Sequence, residues 1–167
     1  EYLFAVNETN LARVVSKKLN DKGQTLSLAE SCTSGKVAAW VASICGASKY
    51  FIEGVVVYSN ASKTRLCGVP TILIEQFGAV STEVAIAMAE GIRTNAKSDW
   101  ALAITGIAGP GGGTVSKPVG TVHIACAGPF GTTHKAFTFR GNREQITDSS
   151  SAHALFLLCK ELSKNTG

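Results

Sequence analysis

Three short apolar runs, Leu26-Ser27-Leu28-Ala29, Val55-Val56-Val57-Tyr58 and Trp100-Ala101-Leu102-Ala103-Ile104-Thr105, each break off into hydroxyl, amide or glycine residues. Between them the apolar residues recur at three- and four-residue steps, the periodicity of amphipathic helices. Strand-length runs separated by helices imply strands that lie in one sheet and are joined by helical crossovers. In such a sheet ligands bind beyond the carboxyl ends of parallel strands. The residues after each run therefore decide the chemistry.

In chain order, no element is assigned over residues 1–7, and Leu11, Val14, Val15 and Leu19 predict a first helix stopped by Asp21-Lys22-Gly23. A strand follows over 25–29, then the polar knot Ala29-Glu30-Ser31-Cys32-Thr33-Ser34-Gly35, then a helix to about Ile44. The run over 51–58 reads as a strand buried on both faces. Ser59 or Asn60 caps a short helix holding Lys63, and one or two helical turns follow over 71–77. Ser81 caps a longer helix with Val84, Ala85, Met88, Ala89 and Ile92 as its core stripe. After the third run come a glycine loop and a hairpin with strands over 119–127 and 132–140, turning at Gly128-Pro129-Phe130-Gly131. A last helix starts near Asn142, with Asn142 and Gln145 at capping-box spacing and Ala152, Leu155, Phe156, Cys159 and Leu162 as its buried face. The expected fold is one α/β domain over 1–167, three layers α/β/α around a mixed, largely parallel sheet.

The charged fraction of 17% is low and the net charge of +4 is modest. Without a Lys/Arg block or basic-aromatic alternation, nucleic acid is not an expected partner. No run of transmembrane length and no secretory signal pattern is visible, so the expectation is a soluble, cytoplasmic protein without a membrane partner. Size and apolar content leave room for a homodimer interface. The five cysteines are widely spaced without a C-x-x-C pair, which calls for no metal and no redox cofactor. Most read as small buried hydrophobes in a reducing compartment. Cys32, at a presumed helix start where a thiolate would be stabilised, stands second to Ser31 as a nucleophile.

Ser31 falls where a strand ends and a new helix presents its first N–H groups. It can be a nucleophile there, border an anion site, or with Thr33 simply cap the helix. A serine nucleophile needs a base, and His123, His134 and His153 all lie late in the chain, away from the strand-end loops. Lys63, in the first turn of its helix, is the better partner. The helix dipole and desolvation in a crevice both disfavour its ammonium form, whereas a surface lysine would stay charged. The loop Gly106-Ile107-Ala108-Gly109-Pro110-Gly111-Gly112-Gly113 fits neither the P-loop nor the dinucleotide fingerprint. Its glycines allow a ligand close to the backbone, or simply a flexible surface loop.

Taken together, Ala29-Glu30-Ser31-Cys32-Thr33, Gly54-Val55-Val56-Val57-Tyr58-Ser59-Asn60 followed by Lys63, Gly78-Ala79-Val80-Ser81, Thr105-Gly106-Ile107-Ala108-Gly109-Pro110, Lys117-Pro118-Val119-Gly120-Thr121-Val122 and Gly141-Asn142-Arg143 resemble the CinA C-terminal domain family, in order, from about residue 11 to 162. Stand-alone members of that family deamidate nicotinamide mononucleotide to nicotinate mononucleotide and ammonia; larger members carry an additional N-terminal domain, for which this chain has no room.

The resemblance implies a Ser-Lys amidase with a small-molecule nucleotide as substrate and no cofactor. Ser31 would attack the carboxamide, Lys63 would take its proton and Tyr58 would assist the transfer or orient the pair. Thr33, Ser34, Asn60, Thr105 and Gly106 would line the substrate, with the N–H groups of Thr105 and Gly106 at the oxyanion. The phosphate would lie against Gly109 and Gly112 of the glycine loop, or against Arg143 with help from Arg140. Two positions depart from the family pattern: Ser34 stands where a second glycine is usual, and Asn142 where an aspartate is usual. They motivate a second expectation, a member that binds a nucleotide or phosphate and turns nothing over.

Overall fold

A computed structural model describes residues 8–164; residues 1–7 and 165–167 lie outside the described part. Five strands form one sheet: β1 (Leu26–Glu30), β2 (Phe51–Val56), β3 (Trp100–Gly106), β4 (Thr121–Gly128) and β5 (Gly131–Thr138), in the order β2-β1-β3-β4-β5. β1 is parallel to both β2 and β3, and β4 is antiparallel to both β3 and β5. Four of the five strands therefore run in one direction, the expected mixed and largely parallel sheet.

The helices are α1 (Glu8–Lys22), α2 (Lys36–Ala42), α3 (Asn60–Cys67), α4 (Thr71–Phe77), α5 (Thr82–Ala96) and α6 (Arg143–Lys164). Strand residues alternate between two cores, as the pleat requires. Leu26, Leu28, Leu102, Ile104, Val122 and Ile124 face a cluster shared with α1, α2 and α6. Ala29, Ala101, Ala103, Ala125 and Ala127 face the other, with α5. The alanine face gives α5 a close seat, and its Val84, Ala85, Met88, Ala89 and Ile92 stripe is fully buried as expected.

Local caps follow sequence chemistry. Ser59 Oγ accepts from Ser62 N–H and starts α3, and Ser81 Oγ accepts from Val84 N–H and starts α5. Asn142 and Gln145 form the capping box, with Gln145 N–H donating to Asn142 Oδ1 and Asn142 N–H to Gln145 Oε1, both at 2.9 Å.

Three expectations need correction. β2 is an edge strand, with Ile52 51% and Val56 49% exposed, so it is not buried on both faces. α2 ends at Ala42, because Gly46, at φ 84°, opens a 3-10 turn, Ala47–Lys49, that leads directly into β2. On α6 Phe156 is 42% exposed and Ala152 and Cys159 are only partly buried; Ile146, Ala154, Leu157 and Leu158 join Leu155 and Leu162 instead. A stripe drawn at strict three- and four-residue steps from Ala152 runs along the flank of the buried face.

Candidate active site

The carboxyl ends of β1, β2 and β3 open on one side of the sheet, so the polar knot, the turn at Tyr58 to Asn60 and the start of the glycine loop converge as expected. They line a cavity of about 180 Å³ with Ser31, Tyr58, Asn60, Lys63, Thr105 and Gly106 in its wall. Cys32, Arg143 and the apolar Ala79, Val80 and Ala108 complete it; the last three stood in the sequence motifs without an assigned role.

Ser31 is held by its own backbone: its N–H donates to Ile104 O at 2.9 Å, tying the first residue after β1 to β3. Its hydroxyl faces Lys63 Nζ at 3.1 Å. Lys63 is 1% exposed, and Nζ also donates to Val57 O at 2.8 Å and Tyr58 O at 3.3 Å. Burial removes water from the ammonium and lowers the Lys63 pKa from its ordinary 10.5, a shift that the Cys32 and Cys67 thiols oppose without reversing. The surface-lysine alternative is thereby excluded.

Glu30 is the residue that sequence reasoning passed over. Its buried carboxylate accepts three backbone N–H groups, from Gly35 at 3.2 Å, Val37 at 3.1 Å and Ala38 at 2.8 Å. The N–H groups expected to face a ligand at the start of α2 are thus taken by a side chain of the protein itself. Neither Ser31 nor Thr33 caps α2: Ser31 Oγ is on Lys63, and Thr33 Oγ1 is buried without a hydrogen-bond partner. A single carboxylate closing an otherwise uncharged strand run was the available signal.

Ser34 adopts φ 53°, in the left-handed region that favours glycine, the residue the resemblance led one to expect here. Its side chain is exposed, so it does not crowd Ser31. Cys32 is buried, and desolvation pushes its thiol up to about 12, opposite to the expected stabilised thiolate. Thr105 is buried with its hydroxyl donating to Ala79 O at 2.8 Å, and a Cβ on Gly106 would stand 3.1 Å from Cys32 Sγ and 2.7 Å from a Val122 methyl.

Tyr58 is 59% exposed and its phenol lies on Arg143, which donates from Nη2 at 2.8 Å; Lys63 reaches the Tyr58 backbone carbonyl and not the phenol. Arg143 donates through Nη1 to Gly109 O at 2.7 Å. Gly109 and Gly112 do not line the cavity. Gly109 serves through its carbonyl on Arg143, and its φ of 79° together with a Cβ that would stand 2.6 Å from Val119 explains the glycine. Arg140 is exposed and lines neither this cavity nor the one beside it. It follows β5, the far edge strand, two places removed from β3, so it stands to the side of the crevice. No group of three or more His, Cys, Asp or Glu side chains among the described residues could hold a metal ion.

Residues 8–162 match the family model described as CinA C-terminal domain. The chain belongs to the CinA C-terminal domain family. A CinA-like protein from Geotalea uraniireducens is 52% identical over 161 residues, and one from Desulfotalea psychrophila 46% over 162. The alignments cover 96% and 97% of this chain but only 38% and 39% of those relatives, so the chain spans well under half of their length. Among solved structures, the competence/damage inducible protein CihA from Agrobacterium tumefaciens is 37% identical at a TM-score of 0.90, covering 93% of this chain and 95% of that one. A CinA superfamily protein from Klebsiella pneumoniae is 31% identical at a TM-score of 0.91, covering 95% and 99%. Among the described residues, no helix is long and apolar enough to cross a membrane.

Proposed function

We propose that this family member is a Ser-Lys amidohydrolase that deamidates nicotinamide mononucleotide to nicotinate mononucleotide and ammonia. The observation that carries the reading is a buried, desolvated Lys63 whose Nζ lies 3.1 Å from Ser31 Oγ. A neutral amine has two N–H donors and one lone pair. With the N–H groups on Val57 O and Tyr58 O, the lone pair is left for the Ser31 hydroxyl proton.

Ser31 Oγ attacks the carboxamide carbon as its proton passes to Lys63 Nζ. The carbonyl oxygen becomes an oxyanion, met by N–H groups around Thr105 and Gly106. Collapse of the tetrahedral intermediate breaks the C–N bond; Lys63 returns the proton to the departing nitrogen, and ammonia leaves. Water, deprotonated by the same amine, then hydrolyses the Ser31 ester and restores both groups. Tyr58 acts by holding Arg143 over the cavity rather than by moving the proton. Arg143 is the cation nearest the pair with a planar fork suited to phosphate.

The second expectation, binding without turnover, rested on Ser34 and Asn142. Ser34 is exposed and its hydroxyl reaches only the Ser31 backbone carbonyl, at 3.5 Å, and Asn142 keeps its capping box, so neither departure touches the Ser31 hydroxyl or the Lys63 amine. The test is ammonia release from nicotinamide mononucleotide with the product checked by mass. Ser31→Ala is expected to lower the rate by about 10³-fold or more. Undiminished release by that variant, or no release by the parent protein, overturns the proposal.

A further inference from the structure

Phe156, expected in the buried face of α6, is 42% exposed, and the sheet accounts for where it stands. α6 packs chiefly over β3 and β4, whereas β5 is the far edge strand. Phe137 pairs with Val122 and Lys135 with Ile124, so both project to the side of the sheet that α6 covers. Between them and the flank of α6 lies a cavity of about 260 Å³, lined by Lys135, Phe137, His153, Phe156, Leu157 and Lys160. Phe156 is about 20 Å along α6 from Arg143, at about 1.5 Å per residue, and this cavity shares no residue with the one at Ser31.

The floor is aromatic. Phe137 and Phe139 stack with ring centroids 5.2 Å apart, and the His153 ring meets each of them at 4.8 Å. His153 Nδ1–H donates to Ser149 O at 2.7 Å, which fixes the ring and leaves Nε2 as its other polar atom. The rim is cationic. Lys135 and Lys160 are exposed, neither forms an ion pair among the described residues, and the wall carries no carboxylate.

Aromatic faces by themselves attract a cation, but two ammonium groups beside them repel one. In a two-fold pair of copies the same lysines would face each other, so a second copy of this chain does not suit the cavity either. An anion with a flat apolar body satisfies both the floor and the rim. Cavities that enclose a drug-sized ligand run to about 300–1,000 Å³, so this one suits a single ring with its acid group.

We infer that the cavity between β5 and α6 is a binding site for a small aromatic carboxylate, its ring against Phe137, His153 and Phe156 and its acid group on Lys135 and Lys160. The site stands whether or not Ser31 and Lys63 hydrolyse an amide.

Benzoate is the probe, titrated into the full chain while the ring protons of His153 are followed by NMR, so binding near Ser31 is not counted. A spectrum of His153→Gln assigns those protons among the three histidines. Benzoate should shift them saturably. Lys135→Glu combined with Lys160→Glu should weaken benzoate by about tenfold or more at low salt, and the difference should narrow as salt is added. Lys135→Gln combined with Lys160→Gln should fall between that variant and the parent. Benzyl alcohol, which has the ring without the charge, should bind more weakly and alike in all three proteins. A graded loss confined to benzoate cannot come from misfolding. No saturable shift in the parent, a benzoate affinity that survives charge reversal, or equal loss of both probes overturns the inference.

Discussion

Lys63 carries the account at the scale of single residues. Its pKa is lowered from 10.5 by burial, so the amine is available as a base at a pH where a solvated lysine is not. The rate should rise with pH as Lys63 deprotonates, on a limb lying below 10.5, and Lys63→Met should abolish turnover. The same shift fixes the sign of a stability effect. Between the folded value and 10.5 the unfolded chain binds more protons, so stability rises with pH across that window and levels off above it. Urea unfolding as a function of pH should show this rise in the parent protein relative to Lys63→Met; parallel curves would show that Lys63 is not depressed. Cys32, with its thiol pushed up to about 12, should resist alkylation while exposed Cys45 reacts, and Cys32→Ala should retain turnover. Ser34→Gly relieves a left-handed φ and should stabilise by about 1 kcal/mol in thermal unfolding with no loss of activity.

At the scale of elements, packing makes its own demands. A Cβ on Gly91 of α5 would stand 1.6 Å from Cys67 O at the end of α3, so Gly91→Ala must push the two helices apart. A loss of about 3 kcal/mol in denaturant unfolding is expected; an unchanged midpoint would refute that contact. Helix and strand identities were legible, because caps such as Ser59, Ser81 and Asn142 and the period of the apolar residues are local signals. The Ser31 and Lys63 pairing was also legible, through two strand ends and a first-turn lysine. What could not be read depends on sheet order. The apolar run of β2 looks buried until it is known to lie at an edge. The placement of Arg140 beside rather than in the crevice follows only once β5 is known to be the far edge strand. Glu30 and Cys32 were misjudged because folding alone turns the Glu30 carboxylate onto the Gly35, Val37 and Ala38 N–H groups and buries the Cys32 thiol.

For the whole molecule, the sheet supplies two kinds of support. Alanines on one face seat α5 and larger aliphatics on the other pack against α1, α2 and α6, while the ends of β1 and β3 hold Ser31 and Gly106 and α3 brings in Lys63. The central claim is that amide hydrolysis passes through an ester on Ser31. Its most direct test is to run the reaction with nicotinamide mononucleotide in the presence of hydroxylamine, which intercepts such an ester. The account predicts a nucleotide hydroxamate that grows at the expense of nicotinate mononucleotide and is absent with Ser31→Ala. Ammonia release at full rate with no hydroxamate, as direct attack by water would give, contradicts it.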